Sequence, residues 1–359
     1  MLRTVARIAL VLGAVLLVAL FSALGYRAWR QHQIAEALAI HTPHGIDEAA
    51  FVRIGGIDQF IQIRGEDRAN PVILILHGGP GISMIGLTPV FQPWEKFFTV
   101  VQWDQRGAGK TYGRNGGAAE ASLMTIDRMS KDGLEVAEYL RSHLRKNKIV
   151  VLGHSWGTVL GLRMVRQRPD MFSAYVGTGQ LVDKQANEER SYALLMIKVH
   201  AAHDARATAD LTRIGPPPYK SLETLYAQRK WLSAYDTAAE RDLTANMTPM
   251  VLFAPNYSLM DILNFQAAIA FSQAVTYDEI NGYDARKLGL AFAVPFFVFE
   301  GSEDNQTPTA LAADYLSTVR APVKRFVLLP GGGHSAMLTM PDVFLRGLLA
   351  YVRPLALRN

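Results

Sequence analysis

The sequence predicts an α/β fold built on a mostly parallel β-sheet, with an α-helical cap inserted into it. Strand-like apolar runs alternate with segments of helical periodicity, which is the arrangement typical of parallel sheets. This alternation stops after Leu181 and resumes near Phe292. Between one strand-like run and one helical pattern lies a serine flanked by glycines, Ser155. A serine in that position is the mark of a strand–turn–helix catalytic site.

The N-terminal segment is the first element along the chain. Residues 8–26 are apolar and carry no charge, and arginines lie on both sides of them. About 20 apolar residues span a bilayer, so residues 1–30 are expected to form a membrane anchor. The alternative is a signal peptide cleaved near Gly25, which would release a secreted protein. The catalytic part of an anchored chain is expected outside the cytoplasm, in the periplasm.

The remaining chain divides into a core in two parts and one insertion. Residues 31–180 and 291–359 are predicted to form the α/β core, and residues 181–290 are predicted to form the helical cap. A short helical or extended tether over residues 27–48 precedes an edge hairpin, and a helix is predicted over 134–144. Strands are predicted at residues 51–54, 59–63, 72–76, 98–103, 150–152, 172–176, 294–299 and 325–329.

Composition excludes several function classes. The chain has 37 basic and 32 acidic residues, a formal net charge of +5, and no cysteine. Its basic residues are scattered, so nucleic acid is not expected as a partner, although the charge suits an anionic membrane surface. Without cysteine there is neither a disulfide nor a thiol nucleophile. No carboxylates accompany the histidines at metal-ligand spacing, so neither a metal nor another cofactor is expected.

Ser155 is the candidate nucleophile. It is the centre of Gly153-His154-Ser155-Trp156-Gly157, which follows an apolar strand and precedes a helical pattern. A tight turn there would lift the hydroxyl above the sheet, and the helix N-terminus would favour an oxyanion beside it.

A nucleophilic serine needs a base, and the base needs an acid that orients it. His334 follows a strand and three glycines, and Asp304 follows another strand. Both are therefore expected at the carboxyl ends of strands, where ligands bind in such sheets. Asp304 is preferred as the acid over its neighbour Glu303, and Asp183 is a third candidate.

An oxyanion hole needs two backbone amides, one after the nucleophile and one from an upstream loop. Trp156 is predicted to supply the first. Gly79 is predicted to supply the second, because it lies in the glycine-rich loop His77-Gly78-Gly79-Pro80-Gly81 that follows a strand. His77 and His154 are expected to have structural roles.

These motifs together resemble the prolyl iminopeptidase-like branch of the α/β-hydrolases. The resemblance spans residues 50–355 with a gap in the middle, and it implies the α/β-hydrolase fold. It also implies Ser155 as nucleophile, Asp304 as acid and His334 as base, with Gly79 and Trp156 as oxyanion donors. The motifs that carry it, in chain order, are His77-Gly78-Gly79-Pro80-Gly81, Asp104-Gln105-Arg106-Gly107, Gly153-His154-Ser155-Trp156-Gly157, Gly301-Ser302-Glu303-Asp304 and Gly333-His334-Ser335.

The sequence departs from that family in two places. The Asp-Gln-Arg-Gly block continues with Ala108-Gly109-Lys110-Thr111 rather than Ser-Gly-x-Ser. In the family, cap glutamates bind the free amine of the substrate, but residues 230–236 do not match the corresponding motif. Six acidic residues of the cap remain as candidates for binding that amine, but each is expected to be a solvated charge on a helix instead. They are Glu188, Glu189, Glu223, Asp236, Glu240 and Glu279.

The predicted function is a serine hydrolase that cleaves small amides or esters through an acyl-enzyme. Its expected partners are a small-molecule or short-peptide substrate and, through the N-terminal segment, a membrane. The resemblance implies an aminopeptidase like proline iminopeptidase. A carboxylesterase or lactonase is the alternative, and a non-catalytic membrane-tethered binding module is a third hypothesis. Dehalogenase and epoxide hydrolase chemistry is excluded because the nucleophile position holds Ser155 rather than aspartate.

Overall fold

A single eight-stranded sheet organises the molecule. The structure, a computed structural model, describes residues 2–117 and 120–358. The strand order is β1-β2-β4-β3-β5-β6-β7-β8. The hairpin β1–β2 and the pair β2–β4 are antiparallel, and all other neighbours are parallel. The strands are β1 (Ile46–Ile54), β2 (Ile57–Gly65), β3 (Val72–Leu76), β4 (Thr99–Trp103), β5 (Ile149–His154), β6 (Phe172–Thr178), β7 (Phe296–Gly301) and β8 (Lys324–Leu329).

The central strands are buried on both faces. Alternate residues of β3 and β5 enter two separate apolar clusters, with Ile73 and Val150 in one and Leu74 and Val151 in the other. The sequences of such strands are continuous apolar runs, because helices cover both faces of a parallel sheet. β5, which ends at the Ser155 turn, therefore lies in the middle of a sheet that is covered on both faces.

Fourteen α-helices accompany the sheet within the described residues. Short 3₁₀ turns and one π-helical turn, Leu348–Val352, complete the secondary structure. The helices are α1 (Leu2–Ala37), α2 (Thr88–Phe91), α3 (Gly109–Asn115), α4 (Ile126–His143), α5 (Trp156–Gln167), α6 (Lys184–Ala201), α7 (Ala205–Ile214), α8 (Leu222–Ala234), α9 (Ala238–Leu252), α10 (Leu259–Asn281), α11 (Thr309–Thr318), α12 (Ala336–Thr339), α13 (Pro341–Gly347) and α14 (Arg353–Ala356).

Five helices, α6 to α10, lie between β6 and β7 in the chain. Each begins at a side chain that accepts a hydrogen bond from the backbone of its first turn, which satisfies an otherwise unpaired N–H. The domain boundaries at residues 181 and 290 stay predictions. The capping residues are Asp183, Asp204, Ser221, Thr237 and Ser258.

Helix α1 is continuous from the apolar N-terminal run into the predicted tether. It is long and apolar enough to cross a membrane. The predicted boundary at residue 30 falls inside this helix, and residues 46–48 of the predicted tether belong to β1. Beyond the apolar run, α1 contacts the loop between α9 and α10. Arg27 Nη2 donates to the Tyr257 carbonyl at 2.6 Å, and Gln31 Nε2 donates to the Ala254 carbonyl at 2.7 Å.

Candidate active site

Ser155 occupies a strained turn between β5 and α5. Its backbone has φ 52° and ψ −118°, a conformation that costs a non-glycine residue of order 1–3 kcal/mol. The turn is held because the Ser155 N–H donates to the Thr178 carbonyl at 2.9 Å. A Cβ at Gly157 would lie 2.0 Å from the Leu76 carbonyl oxygen, so only glycine lets α5 start this close to β3. This is the strained strand–turn–helix conformation that exposes a nucleophilic serine.

Asp304 and His334 are hydrogen-bonded to each other. His334 Nδ1 lies 2.9 Å from Asp304 Oδ2. The same carboxylate oxygen accepts a hydrogen bond from the Thr307 hydroxyl at 2.8 Å, and Asp304 Oδ1 accepts the N–H groups of Gln306 and Thr307. With Nδ1–H donated to Asp304, the Nε2 atom of His334 is the nitrogen left to accept a proton.

The electrostatics of this pair suit a base and its orienting acid. Burial opposes a charged imidazole, but the charge and hydrogen bond of Asp304 outweigh it and raise the pKa of His334. Burial likewise opposes the Asp304 carboxylate, yet His334 and the Thr307 hydrogen bonds hold its pKa below the usual range. Burial and the nearby Asp304 charge raise the pKa of Glu300 well above its usual range. Asp304 is therefore the carboxyl that carries the charge beside His334.

Ser155 and His334 line the same cavity. Its volume is about 380 Å³, and its walls come from the ends of the central strands and from the cap. The ring of His154, the residue before Ser155, lies with its centroid 5.1 Å from the ring of His334. The structure thus brings the three predicted triad residues to one site, while their catalytic roles stay a prediction.

The two predicted oxyanion donors lie at the same cavity. Gly79 and Trp156 both line it, together with Ser155. Among the described residues, neither the Gly79 N–H nor the Trp156 N–H donates a hydrogen bond. Gly79 has φ 115°, and a Cβ there would lie 2.8 Å from the Gly81 nitrogen. The loop conformation therefore requires glycine.

A buried hydrogen-bond chain, which sequence reasoning did not find, fixes the loop of Gly79 relative to α5. Gln105 Nε2 donates to the His77 carbonyl at 3.2 Å, and Gln105 Oε1 accepts from Trp156 Nε1 at 3.0 Å. Burial lowers the pKa of His77 to about 4, so its ring is neutral. His77 Nδ1 donates to the Gly78 carbonyl, and Nε2 accepts the Gln105 N–H. His77 is thus structural, as the sequence indicated.

Two cap acids approach His334, and the expectation that they are solvated is wrong for Glu240. Glu240 is buried, and its Oε1 accepts the Ser335 N–H at 2.6 Å. Asp236 is half-buried and lines the cavity with His334. Burial raises the pKa of both carboxyls. Among the described residues, neither forms an ion pair.

Glu188 is also buried, and its environment is different. It forms ion pairs with Lys184 and with Arg229, whose Nη2 lies 2.5 Å from Glu188 Oε1. All three side chains line the cavity. This cluster carries two positive charges and one negative charge, and α6 and α8 supply it.

The remaining acidic candidates lie outside this arrangement. Glu303 is exposed, and Asp183 caps α6 by accepting the Ala186 N–H at 3.0 Å. Glu189, Glu223 and Glu279 are exposed, as expected. Thr307, three residues after Asp304, is the neighbour whose contact with the acid the sequence could have indicated, because such spacing is typical of a turn closed by an aspartate side chain.

Comparison with known proteins agrees with this geometry. Residues 71–341 match the family profile of the α/β hydrolase fold. The probable aminopeptidase YbaC of Bacillus subtilis (strain 168) is 31% identical over 304 residues, covering 84% of this chain and 94% of that protein. A probable proline iminopeptidase of Streptomyces coelicolor is 36% identical over 117 residues, or 32% of this chain and 34% of that protein.

A solved structure is similar over most of its length. The crystal structure of a proline iminopeptidase-related protein from Thermus thermophilus superposes with a TM-score of 0.61 at 21% identity, covering 86% of this chain and 99% of that chain. The likeness confirms the predicted fold class. The family profile and the extended match to the B. subtilis protein show that the chain belongs to the α/β-hydrolase family.

Proposed function

We propose that this chain is a serine aminopeptidase that removes an N-terminal residue from short peptides through an acyl-enzyme. The observation that carries the proposal is the pair of cap carboxyls, Asp236 and Glu240, that lies beside His334 without a cationic partner among the described residues. Buried carboxyls lacking a counter-charge are costly, and the ammonium group of a substrate would supply that charge.

The chemistry follows from the arrangement of the three core residues. Ser155 Oγ attacks the substrate carbonyl carbon while His334 Nε2 accepts its proton, and Asp304 stabilises the imidazolium. The imidazolium then protonates the leaving nitrogen, and the C–N bond breaks to leave an ester on Ser155. Water, deprotonated by His334, hydrolyses this ester and regenerates the serine.

The oxyanion of each tetrahedral intermediate would be bound by two amides. Gly79 and Trp156 have unused N–H groups at the cavity, and Trp156 is the first residue of α5. The positive end of the helix dipole adds to their effect. Such preorganised donors act mainly in the transition state, where charge develops on the carbonyl oxygen.

Asp236 and Glu240, which we call the amine site, would require a substrate with a free N-terminus. The scissile carbonyl must lie at Ser155 and within reach of His334, so the amine of the same residue lies only a few atoms away. Glu240 Oε1 accepts the Ser335 N–H and Asp236 Oδ1 accepts the Thr237 N–H, which leaves Glu240 Oε2 and Asp236 Oδ2 to bind that amine.

Matched substrates test this function. A prolyl or alanyl arylamide with a free amine should be hydrolysed, and the same compound with an acetylated amine should not. Ser155→Ala should abolish hydrolysis without altering thermal unfolding, since loss of the nucleophile costs on the order of 10⁶-fold in rate. Equal hydrolysis of free and acetylated arylamides would contradict the proposed amine site.

A carboxylesterase is the second candidate, and one observation favours it. Much of the cavity wall is aliphatic, which suits an acyl chain. Short-chain aryl esters assayed beside the arylamides decide between the two, because an esterase would hydrolyse the esters and leave free-amine arylamides intact. The aliphatic lining includes Leu222, Leu225, Leu243, Met247 and Ile280.

We also propose that α1 anchors the enzyme in a membrane, with the catalytic domain outside the cytoplasm. The apolar part of α1 is exposed along its length and is long enough to span. Full-length protein should remain with membranes through carbonate extraction. A mature N-terminus at Tyr26, found by mass spectrometry, would instead show a cleaved signal peptide.

A further inference from the structure

The cavity has an opposite charge at each of two places. Asp236 lines it beside His334, and Glu240 lines a smaller pocket that adjoins it at Asp236 and His334, whereas Lys184 and Arg229 line the wall formed by α6 and α8. Glu188 neutralises one of these two cations, so a net single positive charge remains. An anionic group bound beside Lys184 and Arg229 would neutralise this remaining positive charge.

Helix α8 sets the distance between the two charged regions. Cavity-lining residues recur along one face of α8 and the turn after it, including Arg229, Ser233 and Asp236. Arg229 and Asp236 are seven residues apart, which corresponds to about 10 Å along a helix axis. An extended peptide spans about 3.3–3.6 Å per residue, so this separation matches two or three residues once the reach of the side chains is included.

The basic region also has unused hydrogen-bonding capacity. Asn187 is 1% exposed and lines the cavity beside Lys184 and Glu188. Among the described residues, its amide nitrogen and oxygen have no hydrogen-bond partner, and neither does Glu188 Oε2. Buried polar groups are nearly always paired, so the free N–H groups of Asn187 indicate an acceptor at this position, whereas Asn187 Oδ1 and Glu188 Oε2 need a donor such as water.

The basic region lies near the nucleophile. The Leu181 N–H, just before α6, donates to the Thr158 hydroxyl at 3.1 Å, and Thr158 belongs to the first turn after Ser155. Lys184 is the first residue of α6. A group bound to Ser155 through its carbonyl can therefore extend toward Lys184, which lines the same cavity.

We propose that the substrates are dipeptides and tripeptides with a free carboxyl terminus, and that Lys184, Arg229 and Asn187 bind this terminal carboxylate. This inference rests on the aminopeptidase function proposed above. The amine end lies at Asp236 and Glu240, the scissile carbonyl at Ser155, and the carboxylate at the basic region. The two charged ends of the substrate then limit its length.

Pairs of peptides that differ only at the C-terminus test the inference. Full-length enzyme in detergent is assayed with prolyl-alanine and its C-terminal amide, and with alanyl-alanine and its amide. Since a hydrogen bond to a charged group contributes more than a neutral one, kcat/KM for the free acid should exceed that for the amide by about ten- to a hundredfold. Arg229→Gln should bring this ratio toward one, and so should Lys184→Met.

The control variant is Arg190→Gln, which removes an exposed arginine from the same helix α6, and it should keep the wild-type ratio. A wild-type ratio near one would overturn the inference and leave the aminopeptidase function intact. The same holds if Arg229→Gln folds, by its thermal unfolding, and keeps the wild-type ratio. Hydrolysis of no peptide of either pair would overturn the aminopeptidase function itself, and this inference with it.

Discussion

The carboxylate of Glu240 accepts the backbone N–H of Ser335 at 2.6 Å. Glu240 belongs to the cap helix α9, and Ser335 follows the candidate base His334 in the core. The cap therefore contacts the loop that carries the base, and its charge acts on that base. The charge of Glu240 adds to that of Asp304 in raising the pKa of His334.

Glu240→Gln should shift the acid limb of the rate profile to lower pH. Burial lowers the pKa of His334, whereas Asp304 first, and then Glu240 and Asp236, raise it. Removing the Glu240 charge therefore lowers this pKa. The base works when neutral, so activity appears as pH rises through the pKa of His334. The measurement is kcat/KM against pH with an aryl ester, which has no amine to titrate.

Glu189→Gln, at an exposed cap position, should leave the profile in place, and an unshifted profile in Glu240→Gln would contradict the coupling.

Asp304→Asn should lower kcat by roughly 10⁴-fold, because the amide no longer holds His334 in the required tautomer. Its neighbour Glu303 is exposed, so Glu303→Gln is the matched control and should retain nearly full activity. Steady-state rates of the two variants, with thermal unfolding to verify folding, make the comparison. Greater sensitivity at Glu303 would mean that the acid has been assigned to the wrong residue.

Gly79→Ala should reduce kcat by about 10²–10³-fold with a smaller effect on KM. The added Cβ would meet the backbone nitrogens of Gly81 and Ile82 at 2.8 and 2.9 Å, so the loop must shift and carry its amide away from the oxyanion. Gly282→Ala, where the added Cβ would lie an ordinary 3.7 Å from the Glu279 carbonyl oxygen, should change neither constant. An effect confined to KM would show that the loop only shapes the cavity.

Asp104→Asn should change how stability depends on pH. Burial raises the pKa of this carboxyl to about 7, while an unfolded chain has a value near 4. Between these values the folded protein keeps a proton that the unfolded chain has lost, so the carboxyl increasingly disfavours folding as pH rises from about 4 to 7. The variant lacks this titration. Its stability relative to wild type should therefore increase across that range, by at most about 4 kcal/mol.

Unfolding of wild type and Asp104→Asn at several pH values measures this effect. Asp314→Asn provides the control, because Asp314 is exposed. If the stabilities of wild type and Asp104→Asn change in parallel with pH, the buried carboxyl does not titrate as described.

The core of the site could be predicted because it depends on local patterns. A strand end next to Ser155 or His334 can be identified from apolar runs and glycines alone, and parallel strands bring their carboxyl ends together. The residues at which strands begin and end could not be predicted as accurately as the presence of the strands. β7 begins at Phe296 rather than at the predicted residue 294, because Pro295 has no N–H to donate to a sheet.

The cap half of the site could not be predicted in the same way. Glu240 lies 95 residues before its partner Ser335, and helical periodicity says nothing about which core loop a helix will face. Six acids were equivalent by composition, and only three-dimensional packing separates Glu240 and Glu188 from those in solvent. Thus the meeting of Asp304 and His334 near Ser155 could be predicted from the sequence, and the cap residues that lie beside them could not.

The contact between α1 and the cap has a mechanical consequence. Tyr26 packs edge-on against Phe253 at 5.8 Å, Arg30 lies over the same ring, and Arg27 holds the carbonyl of Tyr257. If α1 anchors the chain in a membrane, as proposed above, these contacts would join the membrane-spanning segment directly to the residues between α9 and α10 rather than through a flexible linker. A movement of these residues away from the core would then require either that the contacts with α1 break or that α1 tilts in the bilayer.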